Sequence, residues 1–385
     1  MKEAALALVT LCVLISGCSP ATDSAPTHPT PMATVESASP PTSPSGADFS
    51  NAGLAFQRDA QTNMTQMLAL CRTLQDDIER FLANPDTSLG LAAQVSYRLC
   101  YHSWALNQLF VQLPFTAEDK QRLVPLLDLI NTRPFLPGYI DSIPDYPYSG
   151  LIHEVDIPIG ENTLLGQHRL MDEDSAALGF PVLEFFLWRQ PIADVWLLTG
   201  NAEADIIVQR RHHYLRVATR RVMADLSDVS ARWQPDGSYA ALPERVQLVV
   251  VLASLQRLTM VALLAELFDE QVIGEPEWHH PAMFSGQGRD YPMALLSAIQ
   301  QQVGQPGSQT PFALWLDSLV DRVVTAAEVQ AAVAASLIAV QQLPANYPAD
   351  SSADALWLAA RQQLAQLALL FSQLSEQQQV PIFSQ

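Results

Sequence analysis

The sequence has no glycine-rich phosphate cradle, no cysteines at zinc-ligand spacing and no Gly-x-Ser-x-Gly elbow. Those absences remove P-loop nucleotide binding, zinc fingers and the common serine hydrolases. β-Branched residues in alternating runs bounded by turn pairs are scarce, and no heptad seam is long enough for a coiled coil. Charge is also in short supply: 16% of residues are charged, and 40 acidic against 21 basic side chains leave a net charge of -19. A field of that sign repels phosphate backbones and anionic lipid surfaces, which argues against nucleic-acid binding and against anchoring through a basic patch. The acidity is spread thinly, with glutamine supplying much of the polar surface, so it reads as a solvated exterior and not as an acidic tail.

Of four cysteines, two lie near the start. Lys2 is followed by an apolar stretch from Ala4 to Ile15, too short to span a bilayer, and then by Ile15-Ser16-Gly17-Cys18. This resembles a lipoprotein signal peptide and its lipobox, so residues 1–17 are expected to be removed and Cys18 to carry lipid. Ser19 stands where an inner-membrane retention signal would place Asp, which favours the periplasmic face of the outer membrane. Residues 18–48 are Pro, Ser, Thr, Ala and Gly and form the expected tether. Cys71 and Cys100 lie at nearly equal distances from the turn signal Asn84-Pro85-Asp86. In an antiparallel helix pair they would stand at one height, and an oxidising periplasm would join them in a disulfide.

From Asp48 onward apolar residues recur at three and four, so the expected fold class is all-α. Helices are expected over about 50–82, 88–113 and 116–130, then a Pro- and Tyr-rich loop over 131–173, then a helix from Phe180 that is apolar on nearly every side. Further helices are expected over 201–233, 243–268, 291–303, 311–343 and 353–378. The run from Val246 to Phe268 is apolar enough to suggest a membrane span, but Gln247, Gln256, Arg257 and Glu266 interrupt it and favour a core helix. The remaining length leaves room for two cores: a bundle over 49–190 and a second over 191–385, packed together and joined through the long loop.

One residue is out of place. Glu184 has Phe180, Pro181, Leu187 and Trp188 as its helical neighbours, and a carboxylate so placed needs a partner, a ligand or a proton. Three roles remain open for it: a structural ion pair, with Arg257 as natural partner and Arg189, Arg133 and Arg169 as competitors; a ligand-pocket or metal contact; and a catalytic base. His153, Glu154 and Asp156, and the run Asp172-Glu173-Asp174, carry donors that suit a divalent cation but read better as solvated loop acid. His212-His213 and His279-His280 read as surface pairs.

The segment Gly179-Phe180-Pro181-Val182-Leu183-Glu184-Phe185-Phe186-Leu187-Trp188 resembles the imelysin signature Gly-x-His-x-x-Glu with its following aromatic and Leu-Trp residues. Gly179 and Glu184 are retained, while Pro181 stands in place of the histidine. Asn131, Pro134, Tyr139, Ile140 and Asp141 resemble the family's Asn-x-Trp-Pro…Tyr-Ile-Asp segment, with Arg133 replacing the tryptophan, and Glu277 and Phe284-Ser285 resemble a third segment. The resemblance implies two helical bundles in a surface-linked, often iron-regulated protein, from a family first described as metallopeptidases and related to periplasmic components of iron-uptake systems. It implies a divalent metal, iron or zinc, with Glu184 among its ligands. A His and a Glu three apart on one helix share a face and could both ligate a metal; a proline cannot. The expectation is therefore non-enzymatic binding of a metal or of an envelope iron-uptake partner, with a metallopeptidase and a purely structural lipoprotein as alternatives.

Overall fold

Buried positions Phe56, Ala60, Met64, Met67, Cys71, Leu74, Ile78 and Phe81 step by three and four along one stripe of the first helix, α1 (Gly46–Ala83), in the computed structural model. The structure describes residues 46–269, 280–347 and 354–380. The leader, Cys18, the tether up to residue 45, Glu277 and His279 lie outside the described residues, and the last three residues of the expected tether belong to α1.

Asp86 begins α2 (Thr87–Asn107) by accepting a hydrogen bond from the Leu89 N–H at 2.9 Å. α2 runs back along α1 and brings Cys100 to Cys71 in a disulfide with Cα atoms 4.7 Å apart, the pairing expected from the turn. The bond spans a sequence separation of 29, and a loop of that size restricts the unfolded chain by about 3.5 kcal/mol, within the usual range of roughly 2–4 kcal/mol. The double variant Cys71→Ala/Cys100→Ala is therefore expected to lose about 3.5 kcal/mol of unfolding free energy. Denaturant titration checks this, with the reduced native chain falling to a similar value.

α2 ends six residues before the expected Leu113 and gives way to a 3₁₀ turn at Gln108–Phe110. Thr116 then caps α3 (Ala117–Asn131). The expected loop holds two short helices, α4 (Pro137–Ile140) and α5 (Glu161–Gln167), and an isolated bridge between Ile143 and Tyr146. The apolar helix follows as α6 (Phe180–Leu187), with all eight residues buried, and then a single turn, α7 (Ile192–Trp196).

The second half opens with α8 (Ala202–Ala231), capped by the Asn201 side chain. The most apolar segment forms α9 (Glu244–Arg257) and continues as a π-helical stretch over Leu258–Ala265. By length and composition Glu244–Ala265 could cross a membrane, yet most of its apolar window is covered by protein. Some of its buried polar groups are served locally: Gln247 Nε2 donates to the Leu242 carbonyl and Thr259 to that of Leu255, while Gln247 Oε1 and Gln256 Nε2 are buried with no partner among the described residues. α10 (Asp290–Val303) and α13 (Asp354–Gln377) lie close to expectation. The helix expected over 311–343 is instead two, α11 (Pro311–Ser318) and α12 (Ala326–Gln341). Thr325 and Glu328 form a reciprocal capping box that begins a new helix, after Leu319 has turned extended and Asp321 has taken a positive φ.

Among the described residues there is no β-strand, so the all-α class holds. α1 packs against α2, α8, α9 and α11, and helices from before and after Gly179 share one continuous core.

Candidate functional site

Gly179 fixes where α6 enters. Its φ is +103°, and a Cβ there would stand 2.7 Å from the Leu129 carbonyl oxygen and 2.9 Å from that of Ile130, at the end of α3. Only glycine fits both the backbone angle and the approach. Pro181 follows in the first turn, where its missing N–H leaves no broken bond. The tight entry lodges α6 against α2, α3, α4 and α8. Gly179→Ala is expected to lose at least about 2 kcal/mol, from left-handed strain plus displacement of α3. A lowered denaturation midpoint with unchanged helical content tests this.

Glu184 is fully buried on α6. Its Oε1 accepts from the Ser285 N–H at 3.0 Å, while Oε2 is buried with no hydrogen-bond partner among the described residues. Burial pushes the carboxyl's pKa upward, and the hydrogen bonds of Ser285 and the positive charge of Arg133 reverse only part of that. The cation near Glu184 is thus Arg133, one of the competitors, and not Arg257. Arg133 acts through space without closing a direct ion pair, since its own guanidinium is committed elsewhere. Nη2 donates to the Tyr101 hydroxyl at 2.8 Å and Nη1 to the His280 carbonyl. Arg257 sits at the end of α9, where it lines a cavity with Glu266, whose pKa burial raises and the Arg257 charge only partly brings back.

Three tyrosines stand over this centre. Tyr101 stacks between Tyr97 and Tyr291, with centroid distances of 5.6 and 5.5 Å. Tyr97 donates to the Phe180 carbonyl, Tyr101 to Asn131 Oδ1 at 3.2 Å, and Asn131 Nδ2 donates to the Tyr291 hydroxyl at 3.4 Å. Burial raises the pKa of Tyr97 well above its ordinary value, and the Glu184 charge adds to it, so these hydroxyls remain neutral donors. Three separate stretches, at Asn131–Arg133, Gly179–Glu184 and Phe284–Ser285, therefore converge on one buried carboxylate.

A second buried acid lies in the long loop. Asp141 is fully buried and receives Arg211 Nε at 2.6 Å and Nη2 at 3.1 Å, with His153 Nε2 at 3.2 Å and Arg189 Nε at 3.7 Å. Although burial raises its pKa, hydrogen bonds from His153 and Arg211 and the charges of Arg189 and Arg211 outweigh it and hold the carboxyl at about 2. The adjacent Arg210 donates to the carbonyls of Leu151, Ile152, Glu154 and Ile157 at 2.8 to 2.9 Å. The basic middle of α8 is thereby a clamp on the loop.

The remaining donors are scattered. His153 belongs to the Asp141 centre, whereas Glu154, Asp156, Asp172 and Glu173 are exposed. His212 is half-buried against the Trp196 carbonyl and His213 is exposed; His280, expected at the surface, is buried. A further contact joins His168 and Arg169 to Asp128, with Arg169 Nη2 at 2.7 Å. Among the described residues no group of three or more His, Cys, Asp and Glu could hold a metal ion.

An all-α bundle threaded by a buried helix that carries one acid is the class of protein defined by this fold and site. The imelysin (peptidase M75) family model matches residues 60–287, and the chain belongs to that family. No curated protein matches the sequence. Solved structures that share its fold include the following two. An imelysin-like protein from Psychrobacter arcticum is 17% identical with a TM-score of 0.61, over 88% of this chain and 98% of that one. A protein named iron-regulated protein A precursor, from Parabacteroides distasonis, is 11% identical with a TM-score of 0.65, over 87% and 96%.

Proposed function

We propose that this chain is a lipid-anchored binding protein of the imelysin family, held through Cys18 at the periplasmic face of the outer membrane. It serves iron-linked uptake by binding a metal or an envelope partner and does not cleave peptides. The observation that carries this reading is the state of the motif centre: Glu184 is kept and buried, but Pro181 replaces the histidine and the nearest strong charge is a cation, Arg133. A catalytic zinc needs three protein ligands and a water. Around Glu184 the described groups are a guanidinium, tyrosine hydroxyls, the Ser285 hydroxyl and the backbone N–H groups of Phe284 and Ser285, and these do not fit such a site. The iron link is drawn from the name of the Parabacteroides structure, and the anchor from the Cys18 segment.

The unpartnered Oε2 of Glu184 favours a second reading, the metallopeptidase. Titrating the mature, tag-free chain with iron, zinc and copper, and assaying each form on unfolded protein substrates, separates the two. No peptide hydrolysis with any metal is expected. Stoichiometric zinc accompanied by hydrolysis, both lost in Glu184→Ala, would establish the peptidase. For the anchor, mass spectrometry should find a diacylglyceryl group on the peptide that begins at Cys18; an unmodified soluble chain would overturn it.

A further inference from the structure

We propose that the cavity bounded by the end of α3, the turn after α2 and the π-helical stretch after α9 binds a small organic anion, an oxyanion headgroup on a compact apolar body. Its volume is about 490 Å³, within the range of small-molecule sites. Arg133, Arg169 and Arg257 all line it. In a chain with a net charge of -19 and 21 basic residues, three guanidinium groups around one cavity run against the average of the surface.

Among the described residues the acids in the wall, Asp128 and Glu266, are fewer than these cations. Asp128 is taken by Arg169 at 2.7 Å and by His168. Arg257 makes no hydrogen bond or ion-pair contact among the described residues and has only the field of Glu266. The Nε of Arg133, the Nε of Arg169 and the Nε2 of Gln108, which is also in the wall, are buried without an acceptor among the described residues. A wall rich in donors and short of acceptors suits a ligand that brings acceptors only, and the planar guanidinium fork matches carboxylate and phosphate oxygens.

The other lining is apolar, with Trp104, Val111, Leu127 and Val261 to take the ligand's body. Val261 and Ala262 belong to the π-helical stretch, a distortion that recurs at functional sites. Glu184 does not line this cavity, although Asn131, Arg133 and Tyr291 of the motif centre do, so the test is placed on Arg257 and Arg169, which take no part in that centre.

Isothermal titration of the mature chain at low ionic strength tests it, with benzoate and phenyl phosphate as probes and benzyl alcohol as the neutral counterpart. At least one anion is expected to bind with one-to-one stoichiometry, the tighter of the two naming the headgroup, while benzyl alcohol does not bind. Arg257→Gln is expected to weaken binding about tenfold, the loss of one charge-assisted contact. Its melting temperature should be unchanged, because Arg257 closes no ion pair that the fold depends on. Arg169→Gln provides a second reading from the opposite wall. The proposal is overturned if neither anion binds the native chain, if benzyl alcohol binds as well as the anions, or if both variants keep native affinity.

Discussion

Asp141→Ala is expected to destabilise the fold by about 3–5 kcal/mol at neutral pH, the cost of removing one partner from a buried ion pair. The deletion leaves Arg211 and Arg189 facing each other without the carboxylate between them, and the charge of Arg211 already disfavours that of Arg189. The native pH dependence carries the same signature. The folded-state pKa, about 2, lies below the ordinary 3.8, so the stabilisation is complete above pH 4 and is lost as pH falls from there toward 2. The depression is worth about 2 kcal/mol. Urea titrations of the native chain and of Asp141→Asn at pH 7 and in the acid range check both claims: the difference between them should shrink as pH falls through this window. Amide exchange across residues 139–157 should quicken in the variant, because the chain there is tied to α8 through Arg210 and Arg211. An unchanged acid profile would show that Asp141 does not hold the loop.

The all-α class, the Cys71–Cys100 bond and the buried α6 were legible because each rests on local periodicity or on symmetry about one turn. The break between α11 and α12 was legible too, in Thr325-x-x-Glu328, but the strong helix formers on both sides suggested an uninterrupted run. Arg211 offered a quieter signal. It shares the buried face of α8 with Val208, Leu215 and Ala218, and an arginine on an apolar stripe implies a buried acid to meet it. Nothing local named Asp141 as that acid, since 70 residues separate the two. The partner of Glu184 was hidden for a similar reason. Arg257 is the cation that stands out in an apolar helix, whereas Arg133 lies in a proline-rich stretch whose path no periodicity fixes. The choice between them was made by tertiary geometry alone.

Arg133→Leu follows from that geometry and is expected to cost on the order of 3 kcal/mol. Arg133 donates to Tyr101 and to the His280 carbonyl and supplies the positive field at Glu184. Leucine fills much of the space but serves none of the three, so the His280 carbonyl loses the hydrogen bond of Arg133 and the carboxylate loses its counter-charge. The dependence on pH runs opposite to that of Asp141. Glu184 has a folded pKa raised above its ordinary value, so its contribution is full below the ordinary carboxylate range and is lost as pH rises through the elevated pKa. Without Arg133 one of the forces that lower that pKa disappears, so the loss of stability in Arg133→Leu should deepen as pH rises through the elevated pKa of Glu184. Adding Glu184→Gln should remove the pH-dependent part and recover stability at high pH, while the lost hydrogen bonds of Arg133 to Tyr101 and the His280 carbonyl keep the double variant below native. Stability measured against pH for the two single variants and the double variant isolates this coupling. If Arg133→Leu shows the native pH profile, or if the two substitutions are simply additive, Arg133 and Glu184 do not act on each other and the motif carboxylate must find its compensation in Ser285 and the Phe284 backbone.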